Sequence, residues 1–498
     1  MAVNHTKMEA VDNSIRIGLV RPWVDRSGSW GSIKSQGTVG APLGILMIKA
    51  YLDSLGHKVT VIDGMLYRNR VAFMDAVFGG RFNIVGIQVF TNSAAVSFEC
   101  AAAIKKIRRD CVIVLGGVHP SSLPERTLEE CREADFVVIG EGEETFKQLI
   151  EVIKAKQWEK AKKIKGIGFR HNGEIVITKR RRHIEDLGKL PSFVRTDVSL
   201  SHYTPTINYY KKKPCLAYIA SRGCPFSCSF CQVHVVLGKQ ARWVPAKRVI
   251  EDLVYLKEQY NAKSILFLDS TFTLNRQYTV QLLNGMIDAE LGLEWSCITR
   301  TDCIDEGLLV RMKEAGCWQV SFGIESANQR SLNIINKGGK ISPEYNMKMV
   351  RLVKRMGLSV QATFILCLPG EDEQMVLRTI KYAIDMCPDI ALFFLPTPYP
   401  GSELFKTCKE TGEIRENYKW EDFLSIDYDN PVYINPLLGK EKMIQLYRKA
   451  YRRFYTHPKT FRRAALMINS KDDVFRYLRA AYIAKDLVFS KAASYLKR

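Results

Sequence analysis

Two α/β units in tandem are the fold this sequence predicts: an amino-terminal doubly wound, Rossmann-like domain, then a partial (β/α)6 barrel with a helical carboxyl-terminal region. Three observations carry this expectation. Short apolar runs recur at helix-length spacings in two series, separated by a break. Three cysteines spaced C-x3-C-x2-C follow the first strand of the second series. After Pro436 the pattern turns helical to the end. A length of 498 residues is roughly three domains' worth.

Composition narrows the class. At 46% hydrophobic and 25% charged the chain is ordinary for a globular protein, which excludes disorder and collagen-like repeats as its main state. The longest apolar runs, such as Ile390 to Leu395, fall short of the roughly 18 residues a membrane span needs. Residues 1–14 are a polar tail without the apolar core of a signal peptide, so the expected compartment is the cytoplasm. Thirteen cysteines, an odd number in a long chain, suggest free thiols and metal ligands rather than a disulfide framework.

Along 15–155, strands are expected at Ile15–Val20, Val59–Asp63, Ile84–Val89, Val112–Leu115 and Phe136–Ile139. A helix is expected over Leu43–Leu55, with apolar residues at 43, 46, 47, 50 and 51 and Gly56 after its end. Alternation of this kind builds an open parallel sheet, with ligands beyond the carboxyl ends of its strands. Residues 156–205 read as a linker holding a small hairpin, Gly166 to Lys179, and a solvated basic loop, Lys179 to Arg182. The segment 206–435 alternates again, with strands near 215–221, 264–269, 294–299, 318–323, 359–366 and 390–395. Six such units suit an incomplete barrel better than an eight-unit one of about 250 residues. The region 436–498 is helical and basic: from Lys440 onward it holds 16 Lys or Arg against four acids, much of the net charge of +21.

The stretch Ser221 to Cys231 carries the chemistry. Cys224, Cys228 and Cys231 are close enough in sequence to converge on one soft metal centre. Four-ligand zinc is one option, with His234 completing the set. A cubane held by three cysteines is the other, and it leaves one iron open to a substrate or cofactor.

C-x3-C-x2-C after the first strand of a six-unit barrel, with aromatic Phe230 just before the third cysteine, resembles the radical S-adenosylmethionine (SAM) enzymes. The resemblance implies that Cys224, Cys228 and Cys231 hold a [4Fe-4S] cluster, whose open iron chelates SAM. One electron then cleaves SAM to methionine and a 5′-deoxyadenosyl radical. It continues through about 200 residues. Phe267 to Phe272 ends the second strand, where Asp269 and Ser270 stand in for the family's Gly-Gly-Glu contact to the SAM amino group. Thr299-Arg300 ends the third strand. Phe322 to Ser326 ends the fourth, placing Glu325 and Ser326 by the ribose or methionine part. Phe364 to Glu371 matches the fifth-strand motif, with Cys367 where a glycine is common, and Pro398 to Leu404 matches the sixth. Phe230, Asp269, Ser270, Arg300, Glu325 and Ser326 are therefore the SAM-site candidates.

In the amino-terminal segment, Gly116-Gly117-Val118-His119-Pro120 and Gly140-Glu141-Gly142-Glu143 each follow a strand. Taken alone, they are ordinary tight turns. With Pro42-Leu43-Gly44, Gly56 to Val59 and Val85-Gly86-Ile87, they are similar to the cobalamin-binding domains fused to radical SAM barrels. That resemblance implies a cobalamin site lined by Gly116, Gly117, His119, Gly140 and Glu141. No histidine fits the Asp-x-His-x-x-Gly spacing, so a bound cobalamin would lack a histidine ligand to cobalt.

The whole layout resembles a subfamily of anaerobic porphyrin-ring cyclases and hopanoid- or archaeal-lipid-modifying enzymes. It implies methyl transfer to an unactivated carbon of a large apolar substrate, supported by an external flavodoxin- or ferredoxin-type electron donor. Radical cyclisation, oxidation or carbon–carbon bond formation without methyl transfer is the alternative. A non-catalytic iron–sulfur or zinc scaffold on membrane or nucleic acid is an alternative of another class.

Two stripes mark the carboxyl terminus: Met443, Ile444, Tyr447, Tyr451, Phe454 and Tyr455, then Val474, Leu478, Ala481 and Tyr482. Interleaved with basic residues, they suit either packing on the barrel or peripheral association with the inner face of a membrane. No RNA-binding module follows the barrel, so no nucleic-acid partner is expected.

Overall fold

The computed structural model describes residues 15–25, 39–337, 339–425, 429–466, 468 and 474. The polar tail and nearly all of the second carboxyl-terminal stripe lie outside the described residues.

The first sheet has seven strands: β1 (Ile17–Arg21), β2 (Val59–Asp63), β3 (Ile84–Gln88), β4 (Val112–Gly116), β5 (Phe136–Val138), β6 (Ile167–His171) and β7 (Glu174–Ile177), in the order β2-β1-β3-β4-β5-β6-β7. β1 to β5 pair in parallel. Strands buried on both faces read as unbroken apolar runs, and Val112 to Leu115 is one. Side chains alternate across the sheet, so Val20, Ile113 and Leu115 join one apolar layer with Phe73 and Leu128. Leu19, Val112 and Val114 join the opposite one with Phe146 and Leu149.

The hairpin expected inside the linker forms the antiparallel edge of this sheet, with Val137 paired to Gly168. The sheet thus runs past residue 155, because Ile167 and Phe169 are buried in the same layer as Phe136 and Val138. The basic run beside it is largely exposed, as expected for a loop, but two of its arginines are also tied to the protein. Arg180 donates to Val235 O at 3.0 Å and Ser121 O at 2.6 Å, and Arg181 donates to Thr145 Oγ1 at 2.9 Å. These guanidinium groups cap carbonyls and hydroxyls where the two halves of the chain meet.

The second sheet comprises β8 (Cys215–Tyr218), β11 (Ser264–Phe267), β12 (Glu294–Thr299), β13 (Cys317–Glu325), β14 (Ser359–Ile365) and β15 (Ile390–Phe394), all parallel and in sequence order. Phe267, Trp295, Phe322, Phe364 and Phe393 fill its core. Between β8 and β11, two short strands, β9 (Ser221–Arg222) and β10 (Arg242–Trp243), pair antiparallel and pinch off the loop that holds the three cysteines.

The helix Gly439–Tyr455 covers the edge of β15. Its Tyr451 hydroxyl accepts from Phe393 N at 3.1 Å and donates to Phe393 O at 3.0 Å, and Tyr455 donates to Ala391 O at 2.9 Å. An open strand edge exposes unpaired amides, and these hydroxyls satisfy them. The apolar stripe of this helix is therefore spent on the barrel. Residues after the barrel fold back onto the first domain: Phe405, Trp420 and Phe423 join the layer of Val20 and Ile113.

Candidate functional site

The cysteine loop lies beyond the carboxyl end of β8 and is tied from several sides. His234 Nε2 lies 2.9 Å from Cys224 O. Ser229 N donates to Ile335 O at 3.1 Å, and Leu404 N donates to Ser229 O at 2.8 Å. Cys224 is buried, Cys228 and Cys231 are half-buried, and all three are free thiols. Burial pushes the Cys228 thiol up, and Lys337 and Arg300 pull it back down. Burial likewise raises Cys231. Among the described residues no three His, Cys, Asp or Glu side chains close around a single ion.

Two ion pairs flank the loop. Arg300 makes a bidentate pair with Asp302, 2.9 Å on both arms. Its Nη1 lies 3.9 Å from Cys228 Sγ, and its guanidinium sits 3.7 Å from the centre of the Phe226 ring. In the second pair Lys337 Nζ donates to Glu325 Oε1 at 2.6 Å and stands 6.0 Å from the centre of the Phe230 ring.

A cavity of about 630 Å³ opens beyond the carboxyl ends of β3, β4 and β5. Leu43, Phe90, Gly116, Val118 and Gly140 line it from the first domain, and Arg222, Gln232, Val236 and Tyr399 from the second. Its wall is mostly apolar with a few polar groups, the usual make-up of a cofactor pocket. Gln88 Oε1 and Thr91 Oγ1 are buried at this wall without a hydrogen-bond partner. A side chain at Gly116 would project into open space. Gly117 sits at φ +119, and a Cβ there would meet Val89 O at 2.7 Å. Glycine thus keeps this wall both tight-turning and bare.

Two family models match the chain: the radical SAM superfamily over residues 218–383 and the B12 binding domain over residues 32–150. An uncharacterized methyltransferase of Pyrococcus horikoshii is 34% identical over 431 residues, spanning 85% of this chain and 89% of that protein. This chain belongs to the radical SAM enzymes with an amino-terminal B12-binding domain.

The anaerobic magnesium-protoporphyrin IX monomethyl ester cyclase of Rubrivivax gelatinosus is 28% identical over 377 residues, 75% of this chain and 66% of that one. Among solved structures, the radical SAM methyltransferase TsrM of Kitasatospora setae, with cobalamin and a [4Fe-4S] cluster bound, shares the fold. Its TM-score is 0.69 at 16% identity, over 95% of this chain and 99% of that one. The cobalamin-dependent radical SAM enzyme OxsB aligns with a TM-score of 0.71 at 16% identity, over 95% of this chain and 72% of that one.

The two matched domains bring a [4Fe-4S] cluster, SAM and cobalamin as cofactors. The donor sets fit them: three free thiols on one loop for the cluster, and unpartnered Gln88 and Thr91 on a glycine-lined wall for a large amide-rimmed ring.

In this radical SAM enzyme the candidates divide. Arg300, Glu325 and Phe230 gather about the cysteine loop. Ser270 is half-buried just beyond the end of β11. Asp269 is buried and accepts from Ser221 Oγ and from Ala220 N at 3.3 Å, clasping the end of β8 to that of β11. Burial raises its carboxyl to about 6. Ser326 is turned inward, donating to Glu371 Oε1 at 2.9 Å within a knot that includes Asn328 and Ser331.

Gly116, Gly117, Gly140 and Glu141 are on the cavity wall. His119 is not one of the residues that line it. Val118 faces the cavity, and His119 is buried on the other side against Phe98 and Trp420, 6.2 and 4.6 Å between ring centres. Burial lowers its imidazole to about 4.

Glu141 lines the cavity, but its carboxylate is committed. It accepts from Arg242 Nη1 at 2.9 Å, Arg222 Nη1 at 3.0 Å and Ile184 N at 2.8 Å, while Glu143 accepts from Arg222 Nη2 at 2.7 Å. This buried cluster rivets the two domains together two residues before Cys224. Sequence reasoning missed Arg222, Arg242 and Lys337. Arg222 adjoins the cysteine motif, whereas Arg242 and Lys337 adjoin none, and charge alone is a signal that surface residues share.

Proposed function

We propose that this chain is a cobalamin-dependent radical SAM methyltransferase. In this reading Cys224, Cys228 and Cys231 hold the cluster and the interdomain cavity holds the corrin. The observation that carries it is a shared wall. Gln232 and Val233 line the cavity and immediately follow Cys231, so the methyl-donor site and the radical-generating site are neighbours across one turn of chain. Methyl transfer to a carbon radical needs that proximity. When bound, the cluster supplies the electron that cleaves SAM, and cobalamin carries the methyl group.

The chain's own residues do the rest. Arg300, held by Asp302, offers a cation beside Cys228 for the SAM carboxylate, and Glu325 offers an anion for its ammonium. The apolar cavity wall keeps water from the reacting carbon. A large apolar substrate suits the likeness to the Rubrivivax cyclase, whose name specifies a porphyrin ester. That same likeness favours a second reading, radical cyclisation without methyl transfer.

An external flavodoxin- or ferredoxin-type donor supplies the electron. The basic carboxyl terminus favours peripheral contact with an anionic membrane, and Phe461 stands exposed among Lys459 and Arg462. No described helix is long and apolar enough to cross a membrane.

The test is anaerobic reconstitution with iron, sulfide, cobalamin, SAM and dithionite, followed by mass spectrometry. 5′-Deoxyadenosine made by the wild type and not by Cys228→Ala supports the radical reaction. S-Adenosylhomocysteine formed in step with it, only when cobalamin is present, supports methyl transfer. 5′-Deoxyadenosine without S-adenosylhomocysteine in the presence of magnesium-protoporphyrin ester favours cyclisation. Zinc retained in place of iron sinks both.

A further inference from the structure

We propose that Lys337 is a positioning residue which, with Glu325, sets the local charge beside the cysteine loop and thereby the reduction potential of the cluster. The inference rests on the reading that Cys224, Cys228 and Cys231 hold that cluster.

Lys337 is only 5% exposed. Burying an ammonium is costly, and its pairing with Glu325 at 2.6 Å offsets that cost without turning it into a gain over well-packed apolar residues. Glu325 lies at φ +67, in the left-handed region that non-glycine residues avoid. Gly323 leaves room for the pair: a Cβ there would meet Glu325 Oε1 at 2.3 Å and Lys337 Nζ at 2.4 Å. A buried ion pair that adds little stability, at a residue with positive φ, points to a role other than stability.

Its position indicates which role. The segment that ends in Lys337 is bonded to the cysteine loop through Ser229 N and Ile335 O, 3.1 Å apart. Lys337 Nζ stands 6.0 Å from the centre of the ring of Phe230, the residue before Cys231. Arg300–Asp302 is its counterpart, with Nη1 3.9 Å from Cys228 Sγ and the guanidinium 3.7 Å from the centre of the Phe226 ring. Each of these two ion pairs therefore sets its cation against an aromatic ring of the cysteine loop.

A cluster held by three thiolates is anionic, and taking one electron makes it more so. The electron comes from the external low-potential donor, the cluster passes from its 2+ to its 1+ state, and no proton moves. A nearby cation stabilises the reduced state more than the oxidised one, and a nearby anion does the reverse. Removing Lys337 leaves the Glu325 carboxylate facing the cluster. Neutralising Glu325 leaves the ammonium there alone.

The two changes thus move the potential in opposite directions, which a merely structural disturbance does not do. The full-length protein is reconstituted anaerobically with iron and sulfide and titrated potentiometrically, with the reduced cluster read by electron paramagnetic resonance. At fixed donor potential, Lys337→Met lowers the ratio of reduced to oxidised cluster about tenfold. Glu325→Gln raises it, and Lys337→Arg keeps it near the wild type. Should Lys337→Met not assemble a cluster, the rise in Glu325→Gln with no change in Lys337→Arg carries the same sign.

Unchanged potentials overturn the proposal, as do shifts of one sign in both variants. Iron content that survives in Cys228→Ala defeats the cysteine reading instead. Iron lost in Cys228→Ala, with potentials unmoved in the Lys337 and Glu325 variants, defeats only the inference.

Discussion

The two ligand-bearing ends of the molecule are built on opposite principles. The barrel end is made of side chains: three thiols, two oriented ion pairs and two aromatic rings within one loop and the strand ends around it. The domain end is made of their absence, with Gly116, Gly117 and Gly140 leaving a cavity of about 630 Å³. A soft metal cluster needs particular ligand atoms at particular places. A large ring fringed with amides needs shape, backbone and a few unpaired polar groups such as Thr91 Oγ1. Substitution should therefore act at the first end by deleting an atom and at the second by adding one.

The sharpest break is Cys228→Ala, which should abolish the cluster absorbance and lower SAM cleavage at least ~100-fold, while cobalamin binding, read by difference spectroscopy, stays. The next strikes the rivet between the two ends. Arg222→Met leaves Glu143 buried without its 2.7 Å partner. It should cost about 3–5 kcal/mol in urea unfolding and loosen both cofactors together.

A third prediction separates fold from site through His119. Burial holds its imidazole down at about 4, with Glu130 raising it and Arg126 lowering it further. The unfolded chain takes up that proton near 6.5. Between those values the unfolded state binds more protons, so stability falls as pH falls through the window, by ~3 kcal/mol in all. His119→Phe should flatten that slope in urea unfolding at pH 7 and pH 4.5, without changing cobalamin affinity. A large loss of cobalamin would return His119 to the site. The mildest change to the fold is Gly116→Val, whose Cβ enters open space. It should keep stability within about 0.5 kcal/mol and cut cobalamin affinity about tenfold or more by filling the cavity.

The contrast also explains what could be read from residues alone. The cysteine spacing was legible because three thiols so close in sequence must share one loop, and Arg300 at a strand end does come within 3.9 Å of Cys228 Sγ. Glycine motifs marked the cavity wall, yet they could not say which neighbour faces it, and Val118 rather than His119 does. Glu141 does line the cavity, but the sequence did not show that its carboxylate serves Arg222 and Arg242. Ser326 follows the strand-end residue Glu325, but its hydroxyl turns to Glu371. Such one-residue differences arise where a strand leaves its regular twist, as at Glu325 with its positive φ.

By itself the sequence determined two α/β units, the order of their strands along the chain, the cysteine loop and the glycine-lined strand ends. These follow from local periodicity and from residues whose chemistry has few alternatives. Tertiary structure alone decided that the 166–179 hairpin completes the first sheet, that Tyr451 seals the edge of β15, and that Glu141 and Glu143 meet Arg222 and Arg242. It also decided that Lys337 reaches Glu325 beside the cysteine loop. Those contacts join residues far apart in sequence, or depend on a strained turn, and no local pattern encodes a distance that only the packed chain closes.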